Sequence, residues 1–192
     1  VIGSPPCTAF SVLNRGLNRD RVSAERRERQ MAEAKVLLGF ALSVYTWQIQ
    51  RRRYFAHEHP ASASSWGLPE VMAVRTMEGV ATIVNDACVF GMKAVDKDGV
   101  EKAVKKPTRW MSNAPSLLRH LAARCAGRHL EHTRLVGGRA VAAAIYPPEL
   151  VLEIVRGLQG QGEEDSRTTG GAPLVERRDR VGAGSRIQEH ED

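Results

Sequence analysis

Val1-Ile2-Gly3-Ser4-Pro5-Pro6-Cys7-Thr8-Ala9-Phe10-Ser11-Val12-Leu13-Asn14 opens the chain and decides how the rest is read. Val1 and Ile2 end a buried strand, and Gly3 breaks it. Pro5 and Pro6 fix two φ angles and push the residues before them away from helix, so the chain leaves the strand as a stiff extended loop. Cys7 is thereby held by the backbone. In open α/β sheets the loops beyond the carboxyl ends of the strands form the ligand crevice, which turns a thiol at this position toward a ligand. A small buried cysteine in a proline-rich turn is the other reading of the same residues.

The strands and helices that follow alternate. A polar, Gly-containing loop covers Leu13 to Arg21. Met31, Ala34, Leu38, Leu42, Tyr45 and Ile49 recur at helical spacing, with Leu37, Phe40, Val44 and Trp47 widening the apolar face. This predicts a long helix from about Val22 to Gln50, capped by Asp20 or Ser23, with Glu25 in its first turn. Arg51, Arg52 and Arg53 close it; they suit the helix dipole and are candidates for phosphate contact, although such runs are ordinarily solvated helix ends. Tyr54 to His57 reads as a short buried strand that Glu58-His59-Pro60 leaves at the edge where Cys7 emerges. Pro69 starts a short helix to about Met77, and Val80 to Val84 is a β-branched strand.

Met92 to Val95 and Val100 to Pro107 flank Asp96-Lys97-Asp98-Gly99, a hairpin signal. This hairpin carries Lys93, Lys97, Lys102, Lys105 and Lys106 with few compensating acids, and Lys102, Lys105 and Lys106 are its candidates for holding phosphate. Ser116 to Ala126 reads as an amphipathic helix stopped by Gly127, Arg139 to Ile145 as an apolar stretch, and Glu149 to Leu158 as a last helix. Cys125, His129 and His132 could take zinc with Cys88 or water as a fourth ligand. Without the paired Cys-x-x-Cys of strong sites, no metal is expected. From residue 159 to 192 the composition turns to Gly and charge, and packed structure should cease by about Gly160.

The formal net charge is +6, which suits a polyanionic partner. The three cysteines, an odd number, argue against a disulfide framework and for a reducing, intracellular compartment, nuclear or cytoplasmic. No run approaches the ~20 apolar residues of a membrane span. A chain that begins in mid-strand reads as part of something longer.

Gly3-Ser4-Pro5-Pro6-Cys7-Thr8-Ala9-Phe10-Ser11 closely resembles the catalytic loop of the cytosine C5 DNA methyltransferases, Gly-Gly-Pro-Pro-Cys-Gln-x-Phe-Ser; only Ser4 and Thr8 depart from it. Glu58-His59-Pro60 is similar to the Glu-Asn-Pro that ends a strand in phage-type members, with His59 in place of Asn. Cys88-Val-Phe-Gly91 and Lys106-Pro107-Thr108 through Asn113 resemble a later stretch of the same members. The resemblance spans Val1 to about Leu150. It implies an α/β, Rossmann-like S-adenosylmethionine-dependent methyltransferase half-domain over residues 1–158, with a mostly parallel sheet and a C-terminal hairpin.

It further implies Cys7 as nucleophile at cytosine C6, Glu58 as the acid at N3, S-adenosylmethionine as methyl donor and DNA as partner. Two family features are missing. No Gln-x-Arg-x-Arg motif is visible, and nothing matches the Phe-x-Gly-x-Gly loop that holds the cofactor, so the domain reads as incomplete and inactive alone. Two other readings stay open. One is a non-catalytic nucleic-acid-binding module of a retroelement polyprotein, and the other is a structural domain with a basic surface.

Overall fold

A computed structural model describes residues 1–11, 22–127, 131–133, 135 and 143–168. The strands are β1 (Ile2–Gly3), β2 (Ala56–Pro60), β3 (Ala81–Asp86), β4 (Lys93–Val95), β5 (Glu101–Ala103) and β6 (Pro107–Ser112). The helices are α1 (Ala24–Gln50), α2 (Pro69–Arg75), α3 (Pro115–Leu121) and α4 (Pro148–Thr168).

The main sheet has the order β1-β2-β6-β3. β1 pairs parallel to β2, but β6 lies antiparallel between β2 and β3. The expected mostly parallel sheet is therefore corrected to a mixed one, in which two of the three ladders are antiparallel. The cause is the β4–β5 hairpin, which forms a separate two-stranded sheet and returns the chain so that β6 enters in the reverse direction. The Asp96-Lys97-Asp98-Gly99 turn is as its residues demand: Gly99 has φ +79°, and the Asp96 carboxylate accepts the N–H groups of Asp98 and Val100.

Each face of the sheet is covered by helices. Ser23 caps α1 by accepting the Arg26 N–H, and Leu38, Leu42 and Tyr45 pack with Val71 and Val74 of α2, Phe55, Trp66 and Met111. The apolar stripe of α1 is narrower than its sequence suggests. Val36 and Phe40 are 72% and 69% exposed, and Leu37 and Trp47 are also turned outward. On the other face Ala56 and Trp110 meet Leu117, Leu118 and Leu121 of α3 and Leu150 and Ile154 of α4. A third cluster of Ala87, Met92, Val104 and Ala143 seats the hairpin.

The last helix does not end near Leu158 as expected but runs to Thr168. The glycines that look like disorder in composition serve helix packing instead. A Cβ on Gly157 would lie 2.7 Å from Leu117 Cα, and one on Gly160 2.7 Å from Ser116 Oγ. Beyond them Gln161 is buried and accepts the Ser116 N–H at 3.0 Å, while Asp165 accepts the Tyr54 hydroxyl at 2.7 Å. That bond, added to burial, pushes the Tyr54 phenol up to about 12. The loop expected over Leu13 to Arg21, most of the apolar stretch expected over Arg139 to Ile145, and the tail from residue 169 to 192 lie outside the described residues. Among the described residues no helix is long and apolar enough to cross a membrane.

Candidate functional site

β1 and β2 lie side by side in register Ile2↔Ala56 and Gly3↔His57, so the loop after β1 and the second half of β2 share the carboxyl edge of the sheet. Glu58 is in the middle of β2 rather than beyond it. Successive side chains alternate between faces. Glu58 accordingly shares the α3/α4 face with Trp110, its partner on β6, whereas His57 and His59 point to the α1 face, where the aromatic cluster lies. His57 and His59 therefore do not share a face with Glu58.

The Cys7 loop is tied to β2 from both faces. On the α1 face His59 Nε2 donates to the Pro5 carbonyl at 2.9 Å, and its Nδ1 meets Ser65 Oγ at 2.7 Å. A carbonyl can only accept, which fixes the proton on Nε2 and makes Ser65 the donor to Nδ1. His57 Nδ1 meets the Tyr45 hydroxyl at 3.1 Å, with its Nε2 buried and unpartnered. Burial pushes the His57 ring down to about 3 and also lowers His59, so both are neutral at pH 7. On the opposite face the Ser4 hydroxyl donates to Glu58 Oε2 at 2.6 Å. Tyr146, whose ring lies 5.9 Å from Trp110, places its buried hydroxyl beside Ser4 and Glu58 without closing a well-formed hydrogen bond to either.

Cys7 itself is half-buried at the start of a 3₁₀ turn, Thr8–Phe10, where its carbonyl accepts the Phe10 N–H. Its thiol is raised, first by burial and then by the negative charge of Glu58, with Lys106 pulling the other way. Ser4, three residues before Cys7 and bonded to Glu58, ties that carboxylate to the Cys7 loop. Replacing Glu58 by Gln is expected to speed alkylation of Cys7 by iodoacetamide at pH 8, because the charge that holds the thiol up is gone. Equal rates in the two proteins, measured by mass spectrometry of the Cys7 peptide, would separate the two residues.

The basic residues are placed less favourably. Arg51, Arg52 and Arg53 are exposed but precede β2, so they sit at the amino-terminal edge of that strand, away from Cys7. Arg51 and Arg53 instead stack on Trp47, at 4.5 and 5.6 Å from its ring centre. On the hairpin Lys93 pairs with Glu101, Lys97 with Asp98, and Lys102 with both Asp96 (3.0 Å) and Glu131 (2.6 Å). The expectation of few compensating acids is thus corrected, and Lys102 is already neutralised. Lys106, with φ +27°, turns inward to donate to the Ala143 carbonyl at 2.8 Å. Lys105 stays exposed, with no acid partner among the described residues.

Cys88, Cys125 and His132 come together, while His129 lies outside the described residues. Three contributors escape sequence reading. Ser4 is visible there only as a departure from a motif, Tyr146 only as the residue before two prolines, and Arg109 not at all. Arg109 crosses β6 opposite His59 and lies over Trp66 at 5.2 Å, its guanidinium lowered by burial and by Arg75. No protein-family model, no curated protein and no solved structure matches the chain.

Proposed function

We propose that this chain carries the nucleophile and the acid of a cytosine-directed C5 methyl-transfer domain acting on DNA, with Cys7 adding at C6 and Glu58 serving N3. The observation that supports this reading is that the Cys7 loop and Glu58, from adjacent parallel strands, meet at one sheet edge, where Ser4 of that loop donates to Glu58. Cytosine C5 is unreactive until a nucleophile adds at C6. The Cys7 thiol gives its proton to the Glu58 carboxylate; attack by the thiolate forms the S–C6 bond and shifts the C5=C6 pair toward C4 and the C4=N3 pair onto N3, which takes that proton from the Glu58 carboxyl. C5 of the adduct is then electron-rich and can exchange its hydrogen. Ser4 donates to Oε2 of Glu58 and so orients the carboxyl. A base in a duplex has to leave the stack to reach this edge.

S-adenosylmethionine would supply the methyl group of such a reaction. The described residues include no glycine-rich strand-to-helix loop, and β1, beside which a pocket would have to be built, is the outer strand of the sheet. The described residues do not fit the cofactor by themselves, and the part of the reaction assigned to them is activation of the cytosine.

Exchange of cytosine C5 hydrogen for deuterium in D2O, followed in a DNA oligonucleotide by mass spectrometry, tests that part without a methyl donor. Wild-type chain should incorporate deuterium. Cys7→Ala should not exceed background, and Glu58→Gln should be slower by about 100-fold or more. Exchange that persists in Cys7→Ala removes the assignment. One observation favours a second reading, a module that holds nucleic acid without chemistry: burial and Glu58 together keep Cys7 a thiol at neutral pH. Salt-sensitive DNA binding with no exchange by the wild-type chain would establish that reading instead.

A further inference from the structure

We propose that Cys88, Cys125 and His132 form a zinc site that fastens the chain between α3 and α4 to the 3₁₀ turn that follows β3. One ligand comes from the turn after β3 and two from the chain between α3 and α4. Cys88 is buried in the 3₁₀ turn Ala87–Phe90 that follows β3, and Cys125 lies just past the end of α3. His132 is placed by a bridge to Ala103 at the end of β5, closed by the Thr133 N–H on the Ala103 carbonyl at 2.9 Å. Their ligand atoms all lie within 4.8 Å of one another. Nothing in the sequence spacing required this, which is why the spacing alone argues for no metal.

Distance and chemistry agree on the ion. Zinc bonds of about 2.3 Å to sulfur and about 2.0–2.1 Å to nitrogen set the S···N edge of a tetrahedron at roughly 3.6 Å. Cys125 Sγ and His132 Nε2 are 3.6 Å apart. Two thiolates and an imidazole are soft donors that suit zinc or cobalt and not magnesium or calcium, whose ligands are oxygens. The surroundings are those of a ligand sphere. Asp86, fully buried, accepts the Cys125 N–H at 2.9 Å and Arg124 Nε at 3.0 Å through one oxygen, and its other oxygen is buried with no hydrogen-bond partner. Such a carboxylate orients the loop that carries the ligand.

Charge closes as well: one divalent cation balances two thiolates, and Arg124 balances Asp86. Binding releases both thiol protons to solvent and forms two metal–sulfur bonds and one metal–nitrogen bond. Cys125 and His132 are only half-buried, so water or a further side chain has access to the fourth position.

The reduced, full chain should take up one equivalent of zinc against a chromophoric chelator. With cobalt(II) it should show the thiolate-to-metal charge-transfer band and the intense visible bands of a tetrahedral site. Cys88→Ser and Cys125→Ser should each lose the charge-transfer intensity of one thiolate. His132→Ala and Asp86→Asn should weaken zinc binding by about tenfold to 100-fold, with circular dichroism confirming that each remains folded. The cobalt spectrum of wild-type chain keeps the test decisive where a serine variant fails to fold. A folded, reduced chain that binds neither metal overturns the proposal. So does a Cys88–Cys125 disulfide, seen as two thiols missing from the unreduced chain, or a full charge-transfer band in the double serine variant.

Discussion

Gly3→Ala is expected to cost about 3 kcal/mol of stability, a fall of about 10 °C in the thermal midpoint of a chain this size. A Cβ at this position would stand 1.9 Å from the Tyr45 hydroxyl oxygen and 2.9 Å from the ring carbon that bears it. The ring cannot swing aside. It is 1% exposed, stacked on Phe55 with ring centres 4.7 Å apart, and joined to His57 through its hydroxyl. Overpacking of this kind typically costs about 1–3 kcal/mol, and displacing the ring also breaks the Tyr45–His57 hydrogen bond, worth about 1 kcal/mol. Removing the hydroxyl should relieve part of the clash, so Gly3→Ala in a Tyr45→Phe background should lose less than in wild type. Equal losses in both backgrounds, measured by thermal denaturation, would show that β1 and α1 do not meet as described.

Acid is expected to destabilise the protein already between pH 7 and pH 5, through buried histidines rather than carboxylates. The unfolded chain takes protons at its histidines as pH falls through about 6.5, whereas folded His57 resists protonation down to about 3 and His59 is also held low. Between those limits the unfolded state binds more protons than the folded one, so stability falls as pH falls. From pH 7 to pH 5 His57 alone should remove about 2 kcal/mol, with His59 adding a loss of the same sign. The rings stand 4.7 Å apart, so charging one further opposes charging the other. In His57→Phe the aromatic packing on Trp66 is kept and the proton site is gone, so the fall between pH 7 and pH 5 should be shallower. Urea midpoints at the two pH values measure it, and parallel falls in both chains would place the protons elsewhere.

Local patterns made much of this legible. The Gly-Ser-Pro-Pro-Cys turn, the spacing from Met31 to Ile49 and the Asp-Gly turn each demand a conformation from neighbours in sequence, and each appears. The period-two alternation along β2 likewise suffices to part Glu58 from His57 and His59. Strand order is different. Whether β6 lies beside β2 in parallel or reversed depends on where the β4–β5 hairpin delivers it, which no local periodicity states. The end of α4 is hidden for another reason. Glycine and charge normally offer too little apolar surface to fold, but Gly157 and Gly160 are small so that α3 can come close, and Gln161 and Asp165 bond across to Ser116 and Tyr54. The hairpin lysines also read as a free cationic surface until Glu131, distant in sequence, arrives beside Lys102.

Among the described residues β1 is paired on one side only, and Val1 and Ile2 are 55% and 45% exposed. An unpaired strand edge invites a strand from another molecule, and that is how folded proteins begin to associate into sheets. Past its carboxyl end come Pro5 and Pro6, which have no N–H to offer a neighbour and stop a growing ladder there. The same two prolines that stiffen the approach to Cys7 thus also guard the molecule against self-association, so relaxing that loop by replacing them would expose the protein to aggregation at its edge.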